Sequence, residues 1–299
     1  MSWEKSINGF KYHLQIERSL SDNSVSAYIL DIRKLASYAS PLKINPLKIT
    51  RLDISSFLVD LNKKKLSARS QARIISGIKA FYQYLIMEDY IDHNPIELIE
   101  APKIGFKLPD TLTLIEIDQL INAIDLSKSQ GERNRAILET LYSCGLRVSE
   151  LVHLKLSNIN FKEGYLKVIG KGNKERLAPI GSRATKYLNI YINDVRNHQN
   201  IKKGYKDFVF LNNRGTKLTR VMIFIIIQNL KEKTGIKKKI SPHTFRHSFA
   251  THLIEGGANL RAVQEMLGHE SITTTEMYTH LDTHHLRSVI EKYHPRNKT

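Results

Sequence analysis

The 299-residue sequence has a single cysteine, Cys144, so no disulfide can close within the chain. That excludes the stapled secreted scaffolds and suits a reducing compartment. Long apolar runs are also missing. The longest, Val221 to Ile227, is far too short to cross a bilayer. The opening residues Met1-Ser2-Trp3-Glu4-Lys5 hold no apolar signal core. The expectation is a cytoplasmic protein with no membrane insertion. Internal repeats and low-complexity tracts are absent as well.

Acidic side chains are the other shortage. There are 29 Asp and Glu against 46 Lys and Arg, a formal charge of +17. Such a field attracts polyanions and repels basic proteins, which makes nucleic acid the leading partner. A merely basic or ribosome-associated protein is the plainer reading of the same figure. A membrane-surface protein would need a strongly amphipathic Lys/Arg helix, and none stands out. Apolar residues at 41% and charged residues at 25% argue for folded domains rather than disorder.

The length allows two domains. In the first hundred residues, Val25, Tyr28, Ile29, Ile32, Leu35 and Ala36 recur at helical spacing after a cap-like Asp22-Asn23-Ser24. Ile54, Phe57, Leu58 and Leu61 repeat the pattern, as do Ile74, Ile78, Phe81, Tyr82 and Leu85. A bundle of about four helices is predicted over 1–100. The run Lys63-Lys64-Lys65 reads as a solvated loop. Three prolines, Pro95, Pro102 and Pro109, then interrupt the chain, so 101–110 is read as a linker. The remainder, 111–299, is predicted to be a second, mostly helical domain with a small antiparallel sheet. Its β signal is Tyr165 to Ile169, a turn at Gly170-Lys171-Gly172-Asn173 and a return from Arg176 to Ile180. Phe208 to Leu211 reads as a further short strand.

Three stretches of this second segment carry chemistry. In Leu141-Tyr142-Ser143-Cys144-Gly145-Leu146-Arg147-Val148-Ser149-Glu150, a helix running from Ala136 ends at Gly145 and another begins near Ser149. Arg147 falls at the joint. In Ser241-Pro242-His243-Thr244-Phe245-Arg246-His247, Ser241 can cap a helix with Pro242 in its first turn. Spacings of three and four put His243, Arg246 and His247 on one face. Phe245, Phe249 and Leu253 lie on another, together with His252 as a core histidine. In the third stretch Gly268 ends a helix and leaves His269 on a loop. Thr273 and Glu276 then have capping-box spacing, with Tyr278 a turn further on. Taken singly these residues say little. Arg147 reads as a surface arginine, and a tyrosine such as Tyr278 is more often packed than nucleophilic.

Together they form a set suited to phosphoryl transfer without a metal. Two guanidinium forks can neutralise the charge growing on the non-bridging oxygens of an attacked phosphodiester. A tyrosine ordinarily ionises near pH ~10, so it needs a cationic surround or a base to attack at neutral pH. A lysine at a hairpin tip could protonate the leaving sugar oxygen.

The motifs Gly145 to Glu150, Gly170 to Arg176, His243 to His252, Leu267-Gly268-His269 and Thr275 to His280, in this order, resemble those of the tyrosine recombinases. These are also called the phage integrase family, and the likeness is to their Xer type. It extends over essentially the whole chain. It implies a mainly α fold: an N-terminal SAM-like helical bundle that binds core DNA, and a mixed, mostly helical catalytic domain. It also implies roles. Arg147 and Arg246 would bind the scissile phosphate, Lys171 would be the general acid, and His243 would assist proton transfer from the tyrosine. His269 would stabilise the transition state, and Tyr278 would be the nucleophile that forms a 3′-phosphotyrosine. Glu150 would hold the Arg147 turn. No cofactor is implied. The implied partners are double-stranded DNA with a two-armed recombination site, a paralogous recombinase in a tetrameric synapse, and a DNA translocase. The implied task is resolving chromosome dimers before cell division, by two domains that clamp DNA as a C-shaped pair.

Glu276 departs from the pattern, since Xer proteins often carry Gln there. A carboxylate two residues from Tyr278 would oppose its ionisation unless the capping role turns it away. A mobile-element integrase, or a DNA-binding relative that does not cut, would share the fold. The second would lack the Tyr, an Arg or the Lys, and all are present. Zinc hydrolysis is disfavoured because no Glu lies between His243 and His247, and Arg246 beside a cation is electrostatically poor. Cys144 reads as a small buried side chain rather than a nucleophile. Leu286, Val289 and Ile290 form an apolar stripe. It either packs within the chain or, as the family resemblance implies, docks into a neighbouring subunit.

Overall fold

The computed structural model describes residues 1–103, 105, 110–170, 174–268 and 280–297, with the backbone alone at 280–285 and 297. The chain divides into two compact units, Met1–Lys107 and Leu108–Thr299. Each has its own apolar core.

The described residues of the first unit form four α-helices: α1 (Trp3–Tyr12), α2 (Asp22–Ala39), α3 (Arg51–Lys63) and α4 (Ala68–Met87). The apolar periods read from the sequence become its interior. Ile32, Leu35, Ile54, Ile74, Ile78, Phe81 and Leu85 are sealed from solvent. Helix α2 is capped one residue earlier than its sequence suggests, because the Ser21 hydroxyl accepts from Ser24 N at 3.4 Å. The run Lys63-Lys64-Lys65 is exposed where α3 ends. Buried Asp31 of α2 takes both forks of Arg73 from α4, at 2.5 and 2.8 Å.

The second unit runs α5 (Leu114–Asn122), α6 (Gly131–Ser143), α7 (Val148–Val152), β1 (Ile159–Asn160), β2 (Tyr165–Ile169), β3 (Glu175–Pro179), α8 (Ser182–Ile190), α9 (Arg220–Thr234), α10 (Pro242–Glu255), α11 (Leu260–Leu267) and α12 (His280–Tyr293). The strands form one antiparallel sheet in the order β1-β2-β3. In its register Val168 faces Arg176 and Ile169 faces Glu175. Thus the predicted mainly helical fold with a small antiparallel sheet is what the chain adopts. The return strand starts one residue early, at Glu175. The two-residue β1 was not foreseen.

Phe208 to Leu211 is not a strand. Only single-residue bridges form, Lys155 with Phe208 and Leu211 with Lys217. Its backbone groups go to scattered partners instead: Arg196 Nε donates to Phe208 O at 3.0 Å, Tyr191 Oη accepts from Leu211 N at 3.2 Å, Val209 N donates to Leu154 O at 2.9 Å, and Phe210 O accepts from Leu218 N at 3.2 Å. The apolar run Val221 to Ile227 lies on α9. It splits into buried Ile223, Ile226 and Ile227 and exposed Val221, Met222, Phe224 and Ile225. Among the described residues no helix is long and apolar enough to cross a membrane. The stripe Leu286, Val289 and Ile290 is buried in the core of its own unit, where α12 packs against α10, α11 and β3.

Candidate active site

Helix α6 ends at Ser143, and Gly145 takes the left-handed φ of +56°. A side chain there would be strained, and its Cβ would lie 2.5 Å from Phe249 Cδ1. Glycine therefore allows the chain to turn sharply while lying against α10. Two residues on, Arg147 is the extended N-cap residue of α7. Its amide donates to Glu150 Oε2 at 2.8 Å, and its Nη1 donates to Glu150 Oε1 at 2.8 Å. The predicted joint is thus real. α6 begins at Gly131, a little over one turn before Ala136, and α7 begins at Val148.

Glu150 is the hub of the site. Its side chain is 1% exposed, yet it meets three guanidinium groups. Besides Arg147, Arg176 Nη2 lies 2.7 Å from Oε2 and Arg246 Nη1 lies 3.9 Å from it. A buried carboxylate is tolerable only with such partners. Among the described residues, one negative charge against three positive ones leaves the centre in excess of cation, which is the condition for holding a phosphate.

Arg246 arrives from α10. Ser241 is the N-cap residue, with Pro242 at the start, and Phe245, Phe249 and Leu253 are fully buried as expected. Arg246 Nη1 donates to Gly145 O at 2.7 Å and Nη2 to Leu267 O at 2.5 Å. Burial lowers its pKa to about 9, Arg147 and Arg176 push the same way, and Glu150 opposes them. An incoming anion would restore the guanidinium to its ordinary strength as an acid. His243 is exposed one turn earlier on α10. It lines an open cavity of about 550 Å³ shared with Asp110, Arg246, His247 and Gln264.

Arg147 also reaches across the site, donating from Nη2 to Gly268 O at 3.3 Å. Both arginines therefore point at the carboxyl end of α11. The residues that flank the described gaps lie here as well. A Cβ on Gly170 would be 3.6 Å from Glu150 Oε1 and 3.8 Å from Arg147 Nη1. The structure thus brings Arg147 and Arg246 together, with His243 one turn away. Lys171, His269 and Tyr278, and the capping box predicted for Thr273 and Glu276, lie outside the described residues. His252 is only half-buried, with Nδ1 2.7 Å from Tyr142 Oη. Cys144 is 1% exposed, and burial pushes its thiol up to about 12. Among the described residues no His, Cys, Asp and Glu cluster could hold a metal ion.

Arg176 is a site residue that the sequence motifs alone do not assign. Its signal was strand alternation, which turns Arg176 and Ala178 inward while Glu175 faces out. A charged residue on the inner face of a strand is a marker of a polar centre.

The model of the phage integrase family matches residues 110–285, and that of the phage integrase N-terminal SAM-like domain matches residues 7–89. Tyrosine recombinase XerD of Staphylococcus haemolyticus is 44% identical over 98% of this chain and 99% of its own. XerD of Staphylococcus aureus gives the same figures. Among solved structures, XerA recombinase is 31% identical, with a TM-score of 0.50, over 98% of this chain and 99% of that one. A lambda integrase dimer bound to a core site shares the fold at 19% identity, with a TM-score of 0.71, over 93% of this chain and 100% of that one. The chain belongs to the phage integrase family, as a site-specific DNA recombinase of the tyrosine class and Xer type. The Xer-type likeness read from its motifs accords with these XerD relatives.

Proposed function

We propose that Arg147, Lys171, His243, Arg246, His269 and Tyr278 form the site at which this recombinase cuts and rejoins duplex DNA. The observation that carries the reading is the convergence of Arg147 and Arg246 on one buried carboxylate, which leaves a net positive centre. Gly170 precedes Lys171 and Gly268 precedes His269, and both glycines border this centre, which supports the assignment of those neighbours.

The two guanidinium groups bind the non-bridging oxygens of the scissile phosphate and stabilise the charge that grows there. The Tyr278 oxygen attacks phosphorus, its proton leaving with help from His243. The bond to the 5′ oxygen breaks as Lys171 protonates it. His269 donates a hydrogen bond to the pentavalent arrangement. A 3′-phosphotyrosine results, and attack by a 5′-hydroxyl reverses the sequence. The phosphodiester energy stays in the covalent bond, so rejoining needs no nucleotide.

In this reading residues 1–100 grip core DNA and 111–299 catalyse, joined by a linker at 101–110. The substrate is a two-armed duplex site. Four protomers, two of them a paralogue, assemble in the synapse. A DNA translocase times the reaction, which resolves chromosome dimers in the cytoplasm before division. The XerD relatives support this task. Solved neighbours whose DNA is named, XerH with its difH substrate and lambda integrase with a core site, support the duplex substrate.

The test is a nicked duplex carrying a candidate chromosome-dimer site, incubated without metal or nucleotide and run on a denaturing gel. A covalent protein–DNA band that is absent from Tyr278→Phe is expected. Tight specific binding with no band from the wild type, alone or with the paralogue, would overturn the catalytic reading.

A further inference from the structure

The hairpin strand β3 sends one charged side chain inward. Arg176 is 5% exposed, and its Nη2 meets Glu150 Oε2 at 2.7 Å. The same oxygen accepts the Arg147 amide, while Oε1 accepts from Arg147 Nη1. Arg147 and Glu150 lie on one turn of chain, so their contact moves with that turn. Arg176 comes from a different element and anchors the carboxylate from outside.

Arg176 also touches the other partner of Arg147. A Cβ at Gly268 would lie 2.7 Å from Arg176 Cδ and 2.9 Å from its Nε. The arginine stem thus occupies the space where a side chain at 268 would begin. The carbonyl of that glycine accepts from Arg147 Nη2. Both groups that aim the Arg147 guanidinium are therefore braced by Arg176.

Stability alone does not account for such a residue. A buried Arg–Glu pair gains little over an apolar pair of equal volume, because both ions lose their water. A fixed planar fork does, however, define a direction.

We propose that Arg176 is a positioning residue for strand cleavage, holding the Glu150 carboxylate and the Gly268 carbonyl so that Arg147 faces the scissile phosphate. The inference rests on the reading that Arg147 binds that phosphate.

The experiment measures single-turnover cleavage of a nicked duplex by the full chain. One substrate carries an ordinary scissile phosphodiester, and the other a methylphosphonate, which has one non-bridging oxygen replaced by methyl and no charge. Arg147→Ala and Arg176→Lys are compared with wild type, with non-covalent binding as the control for folding. Arg176→Lys is expected to cleave the phosphodiester about tenfold to a hundredfold more slowly, the scale of a small misplacement, while binding within about twofold of wild type. On the methylphosphonate, which needs less guanidinium charge, the deficits of both variants should shrink. In a Glu150→Gln background, where no buried carboxylate is left unpaired, Arg176→Met should add little further slowing.

Wild-type cleavage by Arg176→Lys would overturn the inference. So would a deficit equal on both substrates while Arg147→Ala is relieved, because Arg176 would then act elsewhere. If Arg147→Ala is not relieved either, the phosphate-binding reading of Arg147 falls, and the inference falls with it.

Discussion

Acid should loosen the C-terminal anchor of the catalytic unit through one histidine. His294 follows α12 and is fully buried. Its ring centroid lies 4.9 Å from that of Tyr142 and 5.6 Å from that of Phe249. Burial is the main reason its pKa falls to about 3, and the charges of Arg296 and His252 push the same way. Arg296, two residues on, pairs with buried Glu139 and with Asp118, so a second cation already occupies the pocket. In the released chain His294 would titrate near ~6.5. Between these two values the undocked segment binds a proton that the docked one refuses. Stability is then full above pH ~6.5 and is lost as the pH falls toward the folded pKa. At pH 5 the loss from this group is about 2 kcal/mol, roughly thirtyfold in the docking equilibrium. Lowering the folded pKa further would change it little, because the proton is already excluded there. Hydrogen exchange over residues 286–296 at pH 5 and pH 7, corrected for intrinsic rates, reads this directly. Wild type should lose roughly thirtyfold protection, and His294→Phe should lose much less. Equal losses in both proteins would refute the reasoning.

Three further outcomes are expected. Glu150→Gln removes the carboxylate that the three arginines meet. It should cost about 3 kcal/mol in denaturant unfolding and slow cleavage more than it weakens DNA binding. Gly145→Ala puts a Cβ against Phe249 at a φ of +56°; a loss of about 3 kcal/mol from strain and overpacking is expected, checked by thermal unfolding. Cys144 is buried, with its thiol held near 12. Iodoacetamide should therefore leave the folded protein unmodified at pH 8 and label it at once in urea. Cys144→Ala should cleave DNA like wild type.

The parts read well from the sequence are those governed by neighbours in the chain. The helical periods of α2, α3 and α4 announced their buried faces, since an amphipathic repeat is a local property. The turn at Gly145 and the start of α10 at Ser241-Pro242 were equally legible, because capping chemistry spans only a few residues. His243 and Arg246 share a face by spacing alone. Errors arose where backbone partners were distant. Phe208 to Leu211 has strand-like residues, but its hydrogen bonds go singly to Arg196, Tyr191, Leu154 and Leu218, and among the described residues no second strand pairs along it. The short β1 exists because β2 lies beside it.

By itself, then, the amino-acid sequence determined the mainly helical class, the hairpin, the joint that carries Arg147 and the family's set of motifs. The tertiary structure alone decided that Glu150 is buried between Arg147, Arg176 and Arg246. It also decided that the Leu286, Val289 and Ile290 stripe packs into its own unit, and that His294 is shut away from water. The physical reason is that burial and charge pairing depend on residues tens to well over a hundred positions apart. Their energies arise only when packing has removed the water between them.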